Sequence, residues 1–309
     1  MKPFFAVLLL MAVGQSAGGI GPQRDGTAPP RLSIHSDLVM LPVTVVDADG
    51  RFVPDLRREH FTVYDDAEPR PIELFTSDDL PLTIGLVIDS SASMRGRRDD
   101  VIAAAAAFAA MSDPLDQFFT VNFNDSVWFG LPPDVLFTQD WTQLRAALRA
   151  PPARGMSALH DAIDRALDHV RLGTRHRKAL IVVSDGGDNA SSHTLDAVLQ
   201  HARGAETVIY AVTLADPDER EANPRALKTL ARETGGRPFA PRRVEDVIKA
   251  FEQIARELRS SYTIGFVPRE TDRAGFHLVR VVADAGDGHH LVARTRVGYY
   301  AGPSAATSR

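Results

Sequence analysis

The chain has 309 residues, too many for one small domain and enough for about two at roughly 100–200 residues each. Apolar residues make up 44%, which excludes wholesale disorder, and a formal charge of −5 argues against a nucleic-acid binder, which would present a basic face. There is no cysteine, so disulfides, thiolate metal sites, cysteine nucleophiles and cysteine-linked lipids are excluded together.

Residues 1–17 read as a secretory signal, with Lys2 as the positive start, Phe4–Val13 as the apolar stretch, and Ser16, Ala17 and Gly18 as small residues for cleavage. The alternative, an uncleaved anchor, suffers from an apolar run that is short for a bilayer. The expectation is a secreted or periplasmic protein with no later transmembrane segment. Residues 18–31 are rich in Gly and Pro and read as a flexible leader. A β block follows. Its strands are Leu38–Asp47, Arg51–Val53 after the turn Asp49-Gly50, Phe61–Tyr64, and Pro71–Phe75 beyond a polar turn over Asp65–Pro69.

From Leu82 the pattern changes to apolar runs alternating with helical stretches, as in a wound α/β sheet. The strands are Leu82–Ile88, Phe118–Phe123, Ala179–Ser184 and Thr207–Val212, with Val127–Leu131 as an edge strand stopped by Pro132 and Pro133. The helices are Asp99–Met111, Thr142–Arg149, Ala158–Leu172, Leu195–Gly204, Pro224–Thr234 and Val244–Ser260. Asp99 is expected to cap the first, and Pro224 suits an opening turn. After Ser260 the chain returns to β at Tyr262–Val267, Phe276–Ala283 and His290–Tyr299, with a turn at Asp287-Gly288.

The organisation is therefore a β segment (32–78), an α/β domain (79–260), a second β segment (261–301) completing the first, and a disordered tail (302–309). The fold class is α/β: a three-layer α/β/α arrangement around a wound, mostly parallel sheet, flanked by an all-β accessory domain.

In such a sheet, ligands bind beyond the carboxyl ends of the strands. Asp89 ends the first strand and is followed at alternating positions by Ser91 and Ser93; Asp185 follows Ala179–Ser184. Oxygen donors of this kind suit Mg²⁺ or Mn²⁺. The run Asp89-Ser90-Ser91-Ala92-Ser93 resembles the Asp-Xaa-Ser-Xaa-Ser signature of the metal-ion-dependent adhesion site in von Willebrand factor A domains. Gly155-Met156-Ser157-Ala158-Leu159 is similar to the family's Gly-Xaa-Thr-Ala-Leu segment, with Ser157 in place of Thr. Residues 185–189 resemble its Asp-Gly-Xaa-Asp segment, and Glu233–Phe239 its late helix-end turn.

The resemblance implies a metal site of Asp89, Ser91, Ser93, Ser157 and Asp185. The three hydroxyls would be direct ligands and the two carboxylates would mainly hold waters and hydroxyl protons. A carboxylate on a protein or surface partner would complete the coordination. The flanks, including residues 43–47, 61–66, 261–262 and 298–300, resemble a bacterial, acidobacterial-type subgroup of secreted von Willebrand factor A-related proteins.

The reading is thus a secreted, non-enzymatic, adhesion-type binding module. The alternatives are a metal-assisted hydrolase, for which no dedicated base or phosphate-cradling loop is visible, and an envelope-assembly protein with a non-essential metal site. Other features receive plainer readings. Asp47–Gly50 lacks the later acids of a calcium loop and reads as a hairpin turn. His160 reads as a helix residue near the crevice, His289-His290 and Asp216–Glu221 as surface loops, and Arg175–Lys178 as a solvated strand entrance.

Overall fold

The computed structural model describes residues 38–149, 153–214, 223–269, 274–286, 288 and 290–301. The expected signal, leader and tail, the acidic loop Asp216–Glu221, and Asp287 and His289 lie outside these residues. No helix among the described residues is long and apolar enough to cross a membrane.

The first β block holds β1 (Val39–Val46), β2 (Phe61–Asp65), β3 (Glu68–Arg70) and β4 (Leu74–Thr76). The wound region begins with β5 (Leu82–Asp89), α1 (Arg98–Ala110), β6 (Gln117–Phe123), β7 (Val127–Phe129), α2 (Trp141–Arg149) and α3 (Leu159–Val170). It continues with β8 (Arg177–Ser184), α4 (Leu195–Gly204), β9 (Thr207–Thr213), α5 (Pro224–Glu233), β10 (Pro238–Phe239) and α6 (Val244–Arg259). The last strands are β11 (Tyr262–Phe266), β12 (Gly275–Ala283), β13 (Val292–Arg294) and β14 (Gly298–Ala301).

The central sheet runs β10-β9-β8-β5-β6-β7, parallel throughout except for edge strand β7. Every residue of β5 is buried because both faces of the strand are covered. Ile84, Leu86 and Ile88 pack against Phe108 of α1 and Phe251 and Ile254 of α6. Val87 faces the opposite layer, with Ile163 and Leu167 of α3, Val198 of α4 and Leu227 of α5. Three layers, α/β/α, result. The chain passes from β5 to β6 on one side and reaches β8 and β9 on the other, so the sheet changes winding direction between β5 and β8.

The strands before and after the wound region share sheets. One sheet runs β13-β1-β11-β4 and another β14-β12-β2-β3. A single apolar cluster draws Leu41, Val43, Phe61, Val63, Ile264 and Val281 from both. Tyr262 is nearly fully buried within it, donating to the Val53 carbonyl (2.8 Å) and accepting from the Leu56 amide (3.0 Å).

Several local expectations change. The polar turn expected over Asp65–Pro69 is a two-residue turn with positive φ at Asp66 (47°) and Ala67 (70°); Glu68–Arg70 is already strand. That backbone matches the twist of a tight hairpin. The Arg51–Val53 strand reduces to one bridge from Phe52 to Val46, and Val127–Leu131 shortens to Val127–Phe129. Asp99 is no cap: the helix starts after Arg97, which makes no side-chain cap bond, and Asp99 sits in the first turn, where an acid opposes the helix dipole's positive end. His290–Tyr299 is two strands in different sheets, because residues 295–297 carry the chain across; Val297 accepts from the Val279 amide and donates to the Glu233 carbonyl. After α5, Gly235 adopts φ +84° and the Gly236 amide returns to the Ala231 carbonyl (2.8 Å), a left-handed helix ending that glycine permits.

Candidate metal centre

At its carboxyl end β5 delivers Asp89 to the gap beside β8, and the chain leaves through a turn into the short 3₁₀ segment Ser93–Gly96. Asp89 is 2% exposed. Its Oδ1 accepts from the Ser91 amide (2.8 Å), which fixes the turn, and its Oδ2 accepts from the Ser184 hydroxyl at the end of β8 (2.6 Å). The Ser91 and Ser93 hydroxyls lie 3.0 Å apart, and Ser93 donates to Asp185 Oδ2 (2.5 Å). Asp185 Oδ1 in turn accepts from the Gly187 amide (2.8 Å). Alternation explains the pattern: positions 89, 91 and 93 converge, while Ser90 is turned aside and accepts from Arg98 (3.2 Å).

The structure thus brings Asp89, Ser91, Ser93 and Asp185 into one hydrogen-bonded line. Ser157 belongs to the neighbouring loop. That loop is tied to the Asp89 turn by bonds from the Ala92 amide to the Gly155 carbonyl (3.2 Å) and from the Arg154 amide to the Ser90 carbonyl (2.9 Å). On its other side the Ser157 amide donates to Asn189 Oδ1 (2.8 Å), and its carbonyl accepts from the amides of Asn189 and Ala190. Ser157 is therefore held between the turn after β5 and the loop after Asp185. Ser93 is exposed, whereas Asp89, Ser91, Ser157 and Asp185 are buried.

Electrostatically the centre is short of positive charge. Among the described residues, no lysine, arginine or histidine lies at ion-pair distance from Asp89 or Asp185. Burial pushes the Asp89 carboxyl up to about 6, against the opposing pull of the Ser184 and Ser91 donors, and Asp185 adds like-charge repulsion.

Ser184 lies outside the sequence signature, although it supplies the side-chain donor that holds Asp89. It stands one position before Asp185, but its contact depends on β5 and β8 being neighbours. Asp188 closes the Asp185-Gly186-Gly187-Asp188 segment. Its carboxylate takes His160 Nδ1 (2.9 Å) and the Ser191 hydroxyl (2.5 Å) and so anchors α3 to the loop. A separate group, Asp65, Asp66 and His277, has ligand atoms within 4.8 Å of one another, but Arg70 already pairs with Asp65 (3.0 Å).

Comparison with protein families matches residues 83–256 to the von Willebrand factor type A domain. A search of curated proteins gives no match. Among solved structures, proximal thread matrix protein 1 from the mussel byssus is similar at TM-score 0.50 and 16% identity, over 63% of this chain and 50% of that one. A von Willebrand factor type A protein from Catenulispora acidiphila aligns over 85% of this chain and 75% of that one, at 14% identity and TM-score 0.48. The D319A mutant of the PilB minor pilin from Streptococcus sanguinis aligns over 60% of this chain, at 10% identity and TM-score 0.49; this chain spans only 63% of its length. At such identities the likeness concerns fold alone. The family match covers more than half of the chain and takes in the wound sheet from the second residue of β5 onward, with its Asp89–Asp185 crevice, so this chain belongs to the von Willebrand factor type A domain family.

Proposed function

We propose that this chain is a secreted interaction module in which Asp89, Ser91, Ser93, Ser157 and Asp185 hold a divalent cation, Mg²⁺ or else Mn²⁺, that engages an acidic group on a protein or surface partner. Residues 79–260 would form the recognition domain, and 32–78 with 261–301 its accessory domain. The observation carrying this reading is a buried carboxylate pair that has no cationic partner among the described residues and is linked through serine hydroxyls to the exposed Ser93 at the carboxyl end of the sheet. Hard oxygen donors of this kind fit a small divalent ion.

Each residue has a role that follows from its surroundings. Asp89, fixed by Ser184 and the Ser91 amide, would orient the turn and accept protons from water or hydroxyl ligands. Ser91, Ser93 and Ser157 would supply neutral oxygens, leaving the bound ion electrophilic toward a partner's carboxylate. His160, the imidazole close to Ser157 in sequence, meets Asp188 (2.9 Å) and the His193 carbonyl (3.3 Å) through Nδ1, contacts that tie α3 to the loop after Asp185.

Calorimetric titration of Mg²⁺ and Mn²⁺ into the wild-type chain, Asp89→Ala and Ser93→Ala tests the proposal. The wild type should bind, and each substitution should weaken binding by about 10–100-fold. Equal affinity in all three, or no binding by the wild type, removes the metal from the account.

A further inference from the structure

The strand that leads to Asp185 begins, at its other end, on a buried cation. Arg177 opens β8 within the basic run read as a solvated strand entrance, yet only 8% of it is exposed. The correction has a geometric cause: Arg177 pairs in register with Leu82 of β5 and lies under the end of α6. Its Nη2 donates to the Leu258 carbonyl (2.5 Å) and to the Ser261 hydroxyl. Its Nη1 is buried and has no acceptor.

The acids that might balance Arg177 are used elsewhere. Asp79 (3.0 Å) and Asp116 both bind Arg259, and no carboxylate among the described residues lies within ion-pair distance of Arg177. Burial pushes the guanidinium's pKa down, the direction expected where desolvation exceeds compensation. Neutral acceptors alone are a poor substitute for water around a buried ion, and such a charge is ordinarily paired.

Arg177 forms part of the wall of a cavity of about 310 Å³ between β1, β4 and β11 and the amino ends of β5, β8 and β9. Much of the remaining wall is apolar: Met40, Leu74, Leu82, Val208 and Leu258. Leu80 also lines it and is 36% exposed, so the apolar surface continues to solvent. Lys178 adds a second cation to the lining. Glu206, the lining carboxylate, is engaged by Arg296 (3.5 Å).

We infer that this cavity binds an apolar monocarboxylate, its hydrocarbon body against the leucines and its carboxylate at the Arg177 guanidinium. The volume lies at the lower end of small-molecule sites, which suits a medium-chain acid. The carboxylate gives the buried cation its missing counter-charge, and the tail covers apolar wall that otherwise meets water. This site is separate from the Asp89–Asp185 centre and does not depend on it.

The test is calorimetric titration of the full chain in EDTA with decanoate, decanol and acetate. Decanoate should bind saturably, decanol more weakly, and acetate not detectably. Arg177→Met keeps an unbranched apolar stem without the charged guanidinium and should weaken decanoate by about tenfold or more while leaving decanol unchanged. If that variant does not fold, Leu80→Glu on the exposed wall serves instead: a like charge should weaken decanoate more than decanol. The proposal is overturned if wild type shows no saturable decanoate binding, if decanol binds as well as decanoate, or if the folded variants bind decanoate as tightly as wild type.

Discussion

The two ends of β8 carry opposite charges with the same deficiency. Both are buried; among the described residues, Arg177 at the amino end has no carboxylate at ion-pair distance, and Asp185, just past the carboxyl end, has no cation. They are separated by about 26 Å of extended chain, too far to satisfy each other. The β sandwich handles a similar problem differently, for there Asp65 and Arg70, both buried, pair directly at 3.0 Å. Asp65 and Arg70 close on each other, whereas Arg177 and Asp185 have no ionic partner among the described residues. Unmet charge therefore marks candidate sites better than charge as such.

Removing one member of each arrangement should break or uphold this contrast. Arg70→Met leaves Asp65 buried and charged, so it should destabilise the fold by about 3–5 kcal/mol in denaturant titration. Arg177→Met removes a cation that had no ionic partner; only the hydrogen bonds to Leu258 and Ser261 are lost, and its cost should be clearly smaller. Equal losses would mean that Arg177 is as well compensated as Arg70, and the distinction between closed and open charge would fail.

The two ends also differ in how far the sequence disclosed them. Positions 89, 91, 93 and 185 stand out because short side chains act close to their own backbone, so spacing and strand position carry the information. Arg177 sits among four consecutive basic residues, and nothing local distinguishes the buried one from its solvated neighbours. Its burial follows from α6 and β11 folding over it, through contacts 81 and 84 residues away. Fold legibility divides in the same way. The central strands are continuous apolar runs, and α4 carries its own start in Thr194, which accepts from the Ala197 amide. The division of residues 290–299 between two sheets is set by partners in β1 and β12, and the apolar pattern alone is blind to it.

At the carboxylate end, burial should grade the effect of losing a hydroxyl. Ser184→Ala removes a donor to a buried carboxylate and should cost about 1–3 kcal/mol without added metal. Ser93→Ala also removes a bond to a carboxylate, but water can reach this exposed position and replace it, so the loss should be well under that. Denaturation of both variants in EDTA measures the difference; a Ser93 loss as large as that of Ser184 would show that the line of hydroxyls is closed to solvent.

The smallest effect concerns pH. Asp161 of α3 accepts from the His193 ring (2.7 Å) and from the Ser192 and His193 amides, in the loop that also brings Asn189 to Ser157. Burial would raise the Asp161 pKa, but these donors outweigh it and bring it to about 2. The hydrogen bond to Asp161, with Asp164 nearby, raises His193 above 6.5. A raised histidine stabilises the fold fully below its unfolded value and loses that contribution as pH rises through the folded one. The depressed aspartate contributes above 3.8 and loses its share as pH falls toward 2. The pair is therefore strongest between 3.8 and 6.5. His193 is largely exposed, so screening keeps the effect small. The thermal midpoint of His193→Gln should fall below that of wild type within this window and converge on it as pH rises past the folded histidine value. A His193→Gln difference that stays flat with pH would show that the imidazole holds the loop by packing rather than charge.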